Sequence, residues 1–533
     1  MKEINNLPQG WKNIQLNNLG NFLTGVTYKK GDASKEPKEG FLPVLRANNI
    51  NKDLNFDDLV YVPREKIKEE QLIRKHDIVI CMSSGSKHLV GKSAQAESDF
   101  DGGFGAFCGL FRCHQEINEK YVGYFFQSPK YRNRVSEVSQ GININNLRRA
   151  HIESMEISLA PLPEQKRIVS KIEELFTQLD AGVAELQKAK AQLKRYRQAV
   201  LKAAVEGKLT RVWREAHQDV LEPASELFDR ILTERRAKWE EEELAKMRTK
   251  GKEPKDDKWK RKYKEPEKPN LDGLLKLPEG WIWGNVGQIG KVSGGLTKNR
   301  KRNNFPLTLP YLSVANAYAN ELRLDNVKTV GIKENELKRI LLEKGDLLIV
   351  EGNGSIQQIG RVVIWDGSIS PCVHQNHLIK IRFNPLELGK FVLFWLLSNA
   401  GREQIMIVAS STSGLYTLSI SKVSALSVPI PPIMEQMRIV EKIERRISVA
   451  EEIEHQLDQG LMRAERLRQS ILKHAFDGKL VPQDPNDEPA SELLDRVKKE
   501  KVQVGRNKKT TNSTEQKQLK LLIETKDSWD EGL

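Results

Sequence analysis

Pro163-Glu164-Gln165-Lys166-Arg167-Ile168-Val169, running on through Ile172, Leu175, Leu179, Gly182, Leu186, Ala189, Leu193, Tyr196, Val200 and Ala203, is the stretch from which the fold is read. From Ile168 its apolar and small residues fall at alternating four- and three-residue steps. A heptad seam sustained over about five repeats predicts a long coiled-coil helix. The stretch then returns. Glu435-Gln436-Met437-Arg438-Ile439-Val440 opens a second seam at Ile439, Ile443, Arg446, Ala450, Ile453, Leu457, Gly460, Ala464, Leu467 and Ile471, apolar or small except at Arg446. Gly182 and Gly460 take the same seam position, where a missing side chain lets a facing backbone approach. Each helix opens after a proline-rich stretch (Pro161-Leu162-Pro163; Pro429-Ile430-Pro431-Pro432) and closes at Gly207 or Gly478, where a C-terminal stop belongs. About 40 residues at 1.5 Å each make a rod of roughly 60 Å.

Outward from the helices, the whole frame is duplicated about 270 positions apart. Leu7-Pro8-Gln9-Gly10-Trp11 returns as Leu277-Pro278-Glu279-Gly280-Trp281. His76-Asp77-Ile78-Val79-Ile80, with Gly85-Ser86 and Gly91 behind it, returns as Gly345-Asp346-Leu347-Leu348-Ile349, with Gly354-Ser355 and Gly360. Gly207-Lys208-Leu209 returns as Gly478-Lys479-Leu480, and Pro223-Ala224-Ser225-Glu226-Leu227 as Pro489-Ala490-Ser491-Glu492-Leu493. Ahead of each helix, short β-rich runs such as Ile78-Val79-Ile80-Cys81 and Leu347-Leu348-Ile349-Val350 are bounded by turn residues, as buried strands would be. Tyr121 to Phe126 and Phe391 to Leu397 read as apolar helix faces on that sheet. The fold class expected is therefore α+β: two mixed globular heads, two long helices and an internal repeat.

Composition narrows the partner. Lys and Arg number 86 against 72 Asp and Glu in 533 residues, a formal charge of +14 that favours a polyanion, nucleic acid foremost. No apolar run approaches the ~18 residues that span a bilayer, and Met1 to Asn6 lacks the apolar core of a signal peptide. Four cysteines in so long a chain do not make a disulfide framework. The expectation is a soluble protein of a reducing compartment, with no membrane partner. Between Arg235 and Lys268 a charge-dense stretch begins as a helical extension and ends as a Lys- and Pro-rich linker. After Val504 the tail is polar, core-poor and expected to be mobile.

One seam needs a partner, and the other copy is the nearest. Paired antiparallel, the helices would hold two basic readers apart by somewhat under two turns of B-DNA, at ~34–36 Å per turn. Periodicity and charge alone leave this ruler level with a coiled coil that serves only dimerisation or partner docking.

The ordered set of motifs, twice over and spanning Leu7 to Val497, resembles the specificity subunit of type I restriction-modification systems. The resemblance implies two target recognition domains, each reading half of a bipartite double-stranded DNA site. It also implies conserved-type helices that recruit two modification (methyltransferase) subunits, which associate in turn with restriction (translocase-nuclease) subunits. On that pattern the chain divides into a recognition domain at 1–160, a helix at 161–210, a charged extension and linker at 211–276, a second recognition domain at 277–430, a second helix at 431–480 and a C-terminal segment at 481–533. Two departures are small: His76 stands where the second copy has Gly345, and the second proline stretch is one residue longer. The soluble, reducing-compartment reading makes a cytoplasmic location the expectation.

Chemistry of its own is not expected of such a subunit. Asn384-Pro385-Leu386 and Asp484-Pro485-Asn486 lack the Asn/Asp-Pro-Pro-aromatic loop that grips a flipped adenine. Phe104-Gly105-Ala106-Phe107-Cys108-Gly109 reads as turn and strand rather than a cofactor loop. There is no phosphate-binding Gly-x-x-x-x-Gly-Lys-Ser/Thr, and Asp256-Asp257-Lys258 is a solvated charge run. Cys108 with Cys113-His114, and Cys372 with His374 and His377, lack a second pair of zinc ligands. No cofactor or metal is assigned here; S-adenosylmethionine, ATP and Mg2+ would belong to partner subunits.

DNA contacts are readable only as groups of polar residues in turns. In the first head these are Lys29, Lys30, Arg46, Asn48, Asn49, Ser86, Lys87 and Lys92, with Asn143 and Asn145 in a second loop. In the second head they are Lys298, Arg300, Lys301, Arg302, Asn316, Ser355, Gln357, Gln358 and Arg361, with Ser411, Thr412 and Tyr416 in the second loop. The loops from Gly25 to Asn49 and from Gly295 to Asn316 have little in common, so the two half-sites are expected to differ. The rival reading is a coiled-coil scaffold whose heads bind protein.

Overall fold

The computed structural model describes residues 7–86, 89–139, 145–251, 253–254, 256–412 and 414–499, so the tail beyond Val504 lies outside the described residues. Two compact units emerge, and they interleave along the chain: one takes 1–186 and 458–533, the other 187–457.

In the first unit the run Ile78–Cys81 is buried at every residue and lies inside a four-stranded antiparallel sheet, in the order Gly20–Thr24, Cys108–Cys113, Ile78–Cys81, Ser93–Gln95. A three-stranded sheet sets Phe41–Leu45 antiparallel to Val60–Pro63 and parallel to Gly103–Phe104. Lys12–Gln15 pairs with Glu156–Leu159 just before the first long helix. The second unit repeats this topology: Gly290–Gly294, Leu378–Phe383, Leu347–Val350 and Val362–Ile364 in one sheet, and Lys328–Ile332, Leu307–Leu312 and Val373–His374 in the other. Ile282–Asn285 pairs there with Ser427–Ile430.

The repeated Asp is part of the frame. Asp77 and Asp346 are buried, and each takes a two-pronged bond from an arginine of the neighbouring strand: Arg112 at 2.8 and 2.6 Å, Arg382 at 2.7 and 2.7 Å. Each also closes the preceding turn, accepting from the Arg74 or the Glu343 amide. His76 and Gly345, the one mismatch in that motif, share a left-handed backbone with φ of 68° and 95°.

Both long helices form, Leu162–Val205 and Ile433–Phe476, each of 44 residues. Their segments run antiparallel within each unit. In the first, Ile168, Ile172 and Phe176 share a core with Ile471, Leu472, Ala475 and Phe476, while Gly460 lies against Leu186. In the second, Val200, Leu201 and Ala204 share a core with Ile439, Val440 and Ile443. The head joins that core: Phe476 meets Tyr121 and Phe125 at ring separations of 5.0 and 5.5 Å. Burial of one such ring contributes about 2–3 kcal/mol.

The seam differs from the sequence reading at several of its alternate positions. Ile172, Leu179, Leu186, Leu193, Ile443, Leu457 and Ile471 are buried or half-buried, as are Ile168 and Ile439. Between them, however, Phe176, Val183 and Arg197, and Ile447, Glu454 and Arg468, are more buried than the residues one place earlier, while Ala189 with Lys190 and Gly460 with Leu461 share the inward place, all four half-buried. Ile453 and Leu467 are accordingly 46% and 53% exposed. Leu175 is half-buried against the first head's core. Charge explains the slip where the inward residues are ionic: Lys190 and Arg197 pair with Glu454, and Arg468 pairs with Asp180 while its guanidinium lies 4.1 Å from the Phe176 ring centre. Long side chains bury their stems and tie their heads across the pair, a pattern invisible to apolar spacing. Gly182 has open space where its side chain would be, so no backbone approaches it there.

The remaining repeated motifs gather as a joint beneath each head. Trp11 donates to Glu164 at 2.9 Å and Trp281 to Glu435 at 2.8 Å, both carboxylates being buried. Gly478, at φ +68°, lets Pro8 pack where a Cβ would stand 2.3 Å from its ring, and Gly207 does the same for Pro278 at 2.6 Å. The Ala490 amide donates to Gly10 and the Ala224 amide to Gly280. Each head is thus closed by the segment that follows the helix of the opposite copy. The charged stretch after the second joint packs back as well. Ala224–Thr249 is one helix, and its Trp239 stacks on the buried Trp259 at 6.1 Å.

Candidate nucleic-acid interface

In each head the central strand leaves the sheet between two neighbours. The Cys81 amide donates to Lys92 O, and the next, Met82, to Phe107 O, both at 2.8 Å. In the second head Val350 donates to Arg361 O and Glu351 to His377 O, both at 2.9 Å. Beyond this point Ser83–Ser84 pairs with Asn145–Asn146, and Gly352–Asn353 pairs with Leu415–Thr417, which pairs in turn with Ser410–Thr412. The two polar loops that sequence placed 50–60 residues apart therefore meet at one sheet end in both copies.

The cations at this end are held in place by neutral groups. Lys92 Nζ donates to Asn51 Oδ1 at 2.8 Å. At the equivalent place Arg361 lies over Tyr318, 4.5 Å from the ring centre, while Arg323 on the same ring is the exception, being paired with Glu321 at 2.8 Å. A charge held this way keeps its field for an outside anion, whereas a carboxylate partner would cancel it.

The first loop of each head begins at the same rim. Val26 donates to Phe104 O and Leu296 to His374 O. Gly25 and Gly295 approach the facing backbone so closely that a Cβ would stand 2.1 and 2.3 Å from a carbonyl oxygen. Lys29 and Lys30 are exposed on the turn that follows. The turn is closed by Asp32, whose carboxyl is held below its ordinary range by the Lys29 amide. Lys298, Arg300 and Lys301 are exposed on the corresponding turn, and Ser355, Gln357, Gln358 and Ser411 are exposed too. Tyr416 is half-buried, and Ser86 is half-buried with its amide on Ser84 Oγ.

Four expected contacts sit differently. Asn49 and Asn316 are buried and staple their own loops: Asn49 accepts from the Arg46 amide and donates to Asp57 O, while Asn316 accepts from the Ser313 amide and donates to Arg323 O. Arg302 is buried too, donating to Thr297 O and Gly331 O and pairing with Glu336. Arg46 is engaged by Asp58 at 2.8 Å, beside the exposed Asn48. Lys87 and Asn143 lie outside the described residues; Asn145 and Thr412 are placed only as backbone of their strands.

Sequence reading missed Phe107 and His377. Phe107 is 70% exposed at the rim, and His377 Nδ1 lies 3.4 Å from Glu351. The signal was present in Phe104-Gly105-Ala106-Phe107: a phenylalanine in a turn, after a glycine that marks the end of a strand. Among the described residues no His, Cys, Asp or Glu cluster has the makings of a metal site, and no helix is long and apolar enough to cross a membrane. The surface offers hydroxyls, amides and neutral-tethered cations, chemistry suited to phosphate and base edges.

The family of type I restriction modification DNA specificity domains matches residues 8–192 and again 278–463. The chain is 33% identical over 518 residues to the type I restriction enzyme EcoKI specificity subunit of Escherichia coli strain K12, covering 94% of this chain and 98% of that protein. It is 31% identical over 516 residues to the StySPI specificity subunit of Salmonella potsdam, covering 95% and 98%. Among solved structures, a chain described under "Structural basis underlying complex assembly and conformational transition of the type I R-M system" shares the fold. Its TM-score is 0.59 at 16% identity, over 89% of this chain and 99% of that one.

Proposed function

The chain belongs to the type I restriction-modification DNA specificity family, and we propose from this premise that its two heads each read one half of a split, asymmetric DNA site. It is the specificity subunit of such a system, and the catalytic activities lie in partner subunits. In this reading two modification subunits and the restriction subunits assemble on it. They bring S-adenosylmethionine, ATP and Mg2+ to DNA that this subunit has selected, in the cytoplasm.

One observation carries the reading of two unlike half-sites: the two main sheets are repeated strand for strand, yet the groups at the same sheet end differ. Lys92, Phe107 and Ser83–Ser84 stand in one head where Arg361, His377 and Gly352–Asn353 stand in the other. Phosphate anchors position a protein, and donors and acceptors at base edges choose the sequence. Two unlike sets on one frame would choose two unlike sequences.

The test is genome-wide adenine methylation in a methylation-free host that expresses this chain with its cognate modification subunit. A single split, asymmetric motif that needs both proteins is the expected result. A palindromic motif, or none despite a soluble complex with an active methyltransferase, would overturn the proposal.

A further inference from the structure

Phe107 stands at a rim position where the two heads share a backbone bond and differ in chemistry. Its carbonyl is fixed by the Met82 amide at 2.8 Å, with the Ser83 amide at 3.3 Å, and the next residue, Cys108, donates to Gly105 O at 2.8 Å. The ring is 70% exposed although the backbone on both sides is anchored. Folding therefore gains little from this phenyl group, while the chain anchors the backbone that carries it beside Ser83–Ser84. In the second head the same backbone bond holds His377, which lies within 3.4 Å of Glu351. A side chain that served the frame would be expected to match between heads, as Asp77 with Arg112 matches Asp346 with Arg382.

We propose that Phe107 is a specificity residue that reads the C5-methyl group of a thymine in the major groove of the first half-site. The inference rests on the DNA-reading role above. A phenyl ring has no donor or acceptor for a base edge, and the thymine methyl is the apolar feature that a base pair presents in the major groove. The alternative for an exposed aromatic is a wedge between base steps, which enters from the minor groove and kinks the duplex. The neighbouring strand favours the edge: Ser83, whose amide is bonded to the Phe107 carbonyl, and Ser84 bring hydroxyl groups suited to base edges to the same sheet end. His377 at the same place both donates and accepts, so the second half-site would carry a polar requirement there.

The experiment uses the full chain purified with its modification subunit, and duplexes carrying the mapped motif with each thymine replaced in turn by uracil, which removes only the methyl group. Initial rates of methyl transfer are compared for wild type, Phe107→Ala and Phe107→Leu. The expected result is one thymine of one half-site whose replacement slows wild type about fourfold, the worth of one buried methyl group. Phe107→Ala should be slow on the thymine duplex and indifferent to that replacement, while Phe107→Leu should recover much of the sensitivity. The proposal is overturned if no thymine is sensitive in wild type, or if Phe107→Ala keeps the same sensitivity. It is also overturned if that variant loses rate equally on all duplexes and 2-aminopurine in the site reports unstacking by wild type alone, the mark of a wedge. Failure of the wild-type complex to select any split motif would instead count against the DNA-reading role itself.

Discussion

Two buried positions separate the heads more sharply than any loop. Where the first head's two sheets pair Leu45 with Phe104 and Val79 with Leu110, the second head's pair Leu312 with His374 and Leu348 with Lys380. All four residues on the variable side are buried. The reason lies in the neighbouring segment. The second head has a helix, Glu334–Ile340, whose last carbonyls face inward without helical partners. Lys380 donates to Arg339 O and Leu341 O at 3.0 and 2.7 Å, and His374 Nδ1 lies 2.9 Å from Ile340 O. The first head has two short turns there, Arg64–Lys66 and Glu69–Gln71, and Arg112 reaches Glu70 O and Leu72 O beside them. One frame therefore accepts an apolar or a polar interior, and the backbone acceptors it must satisfy decide which.

The largest effects should fall where the heads agree. Asp77→Ala and Asp346→Ala each take from a strand arginine its buried carboxylate, leaving Arg112 with the Glu70 and Leu72 carbonyls and Arg382 with Glu343 and the Leu341 carbonyl, and each should destabilise its own unit by about 3 kcal/mol. Amide hydrogen exchange followed by peptide mass spectrometry reads each unit separately, as a single melting curve for two units would not. Losses that differ widely between the two variants would break the idea of a common frame.

Next comes the pH response, which should differ. Burial, with Lys380 nearby, depresses His374 from its ordinary 6.5 to about 4. Below pH 6.5 the unfolded imidazole takes up a proton that the folded one refuses until about pH 4. The second unit should therefore lose on the order of 3 kcal/mol as the pH falls across that window. His374→Phe should remove that slope. Lys380, pushed down by burial to about 8, works at the other end: the burden of keeping it charged when folded is present in full below pH 8 and is relieved as the pH rises toward 10.5. Phe104 and Leu110 give the first unit neither slope. Equal acid slopes in exchange data from the two units would refute the assignment.

The joints give a smaller contrast. Trp11→Phe leaves Glu164 with Gln483 at 3.4 Å, whereas Trp281→Phe leaves Glu435 with Thr210 at 2.6 Å and Arg214 at 2.7 Å. The first substitution should destabilise its unit by about 2 kcal/mol and the second by about 1. Burial already pushes the Glu164 carboxyl up, and the indole bond opposes that shift. Removing the indole raises the carboxyl further, so the deficit of the Trp11 variant should shrink on acidification.

How far the sequence could be read follows from which residues carry each feature. The duplicated frame was legible because its joints need particular residues at fixed places: Trp and Glu for one buried bond, glycine for a positive φ against proline. The helix seam was half legible, since Leu179 and Leu186 obey apolar spacing while Lys190, Arg197, Glu454 and Arg468 take inward places that only their partners explain. At the rim, a turn asparagine looks the same in sequence whether its amide faces solvent or, as in Asn49 and Asn316, bonds its own loop. Phe107 escaped because a phenylalanine beside a strand is ordinarily core.

The smallest effect tests the one mismatch in the shared motif. His76 and Gly345 make the same backbone bond, to Ala96 O at 2.8 Å and Trp365 O at 2.9 Å, from a left-handed conformation. A side chain there costs roughly 1–2 kcal/mol of strain. Glycine relieves it but gives the unfolded chain more freedom to lose, and His76 also surrenders its position 4.0 Å from Glu119. His76→Gly should therefore stabilise the first unit by only about 0.5 kcal/mol. Gly345→His faces strain without that compensation, since its Cβ would stand 3.3 Å from Leu386, and should destabilise the second by about 1 kcal/mol. If exchange data show instead that His76→Gly destabilises the first unit, His76 holds that turn through contacts of its side chain, and the two turns are alike in backbone but not in what maintains them.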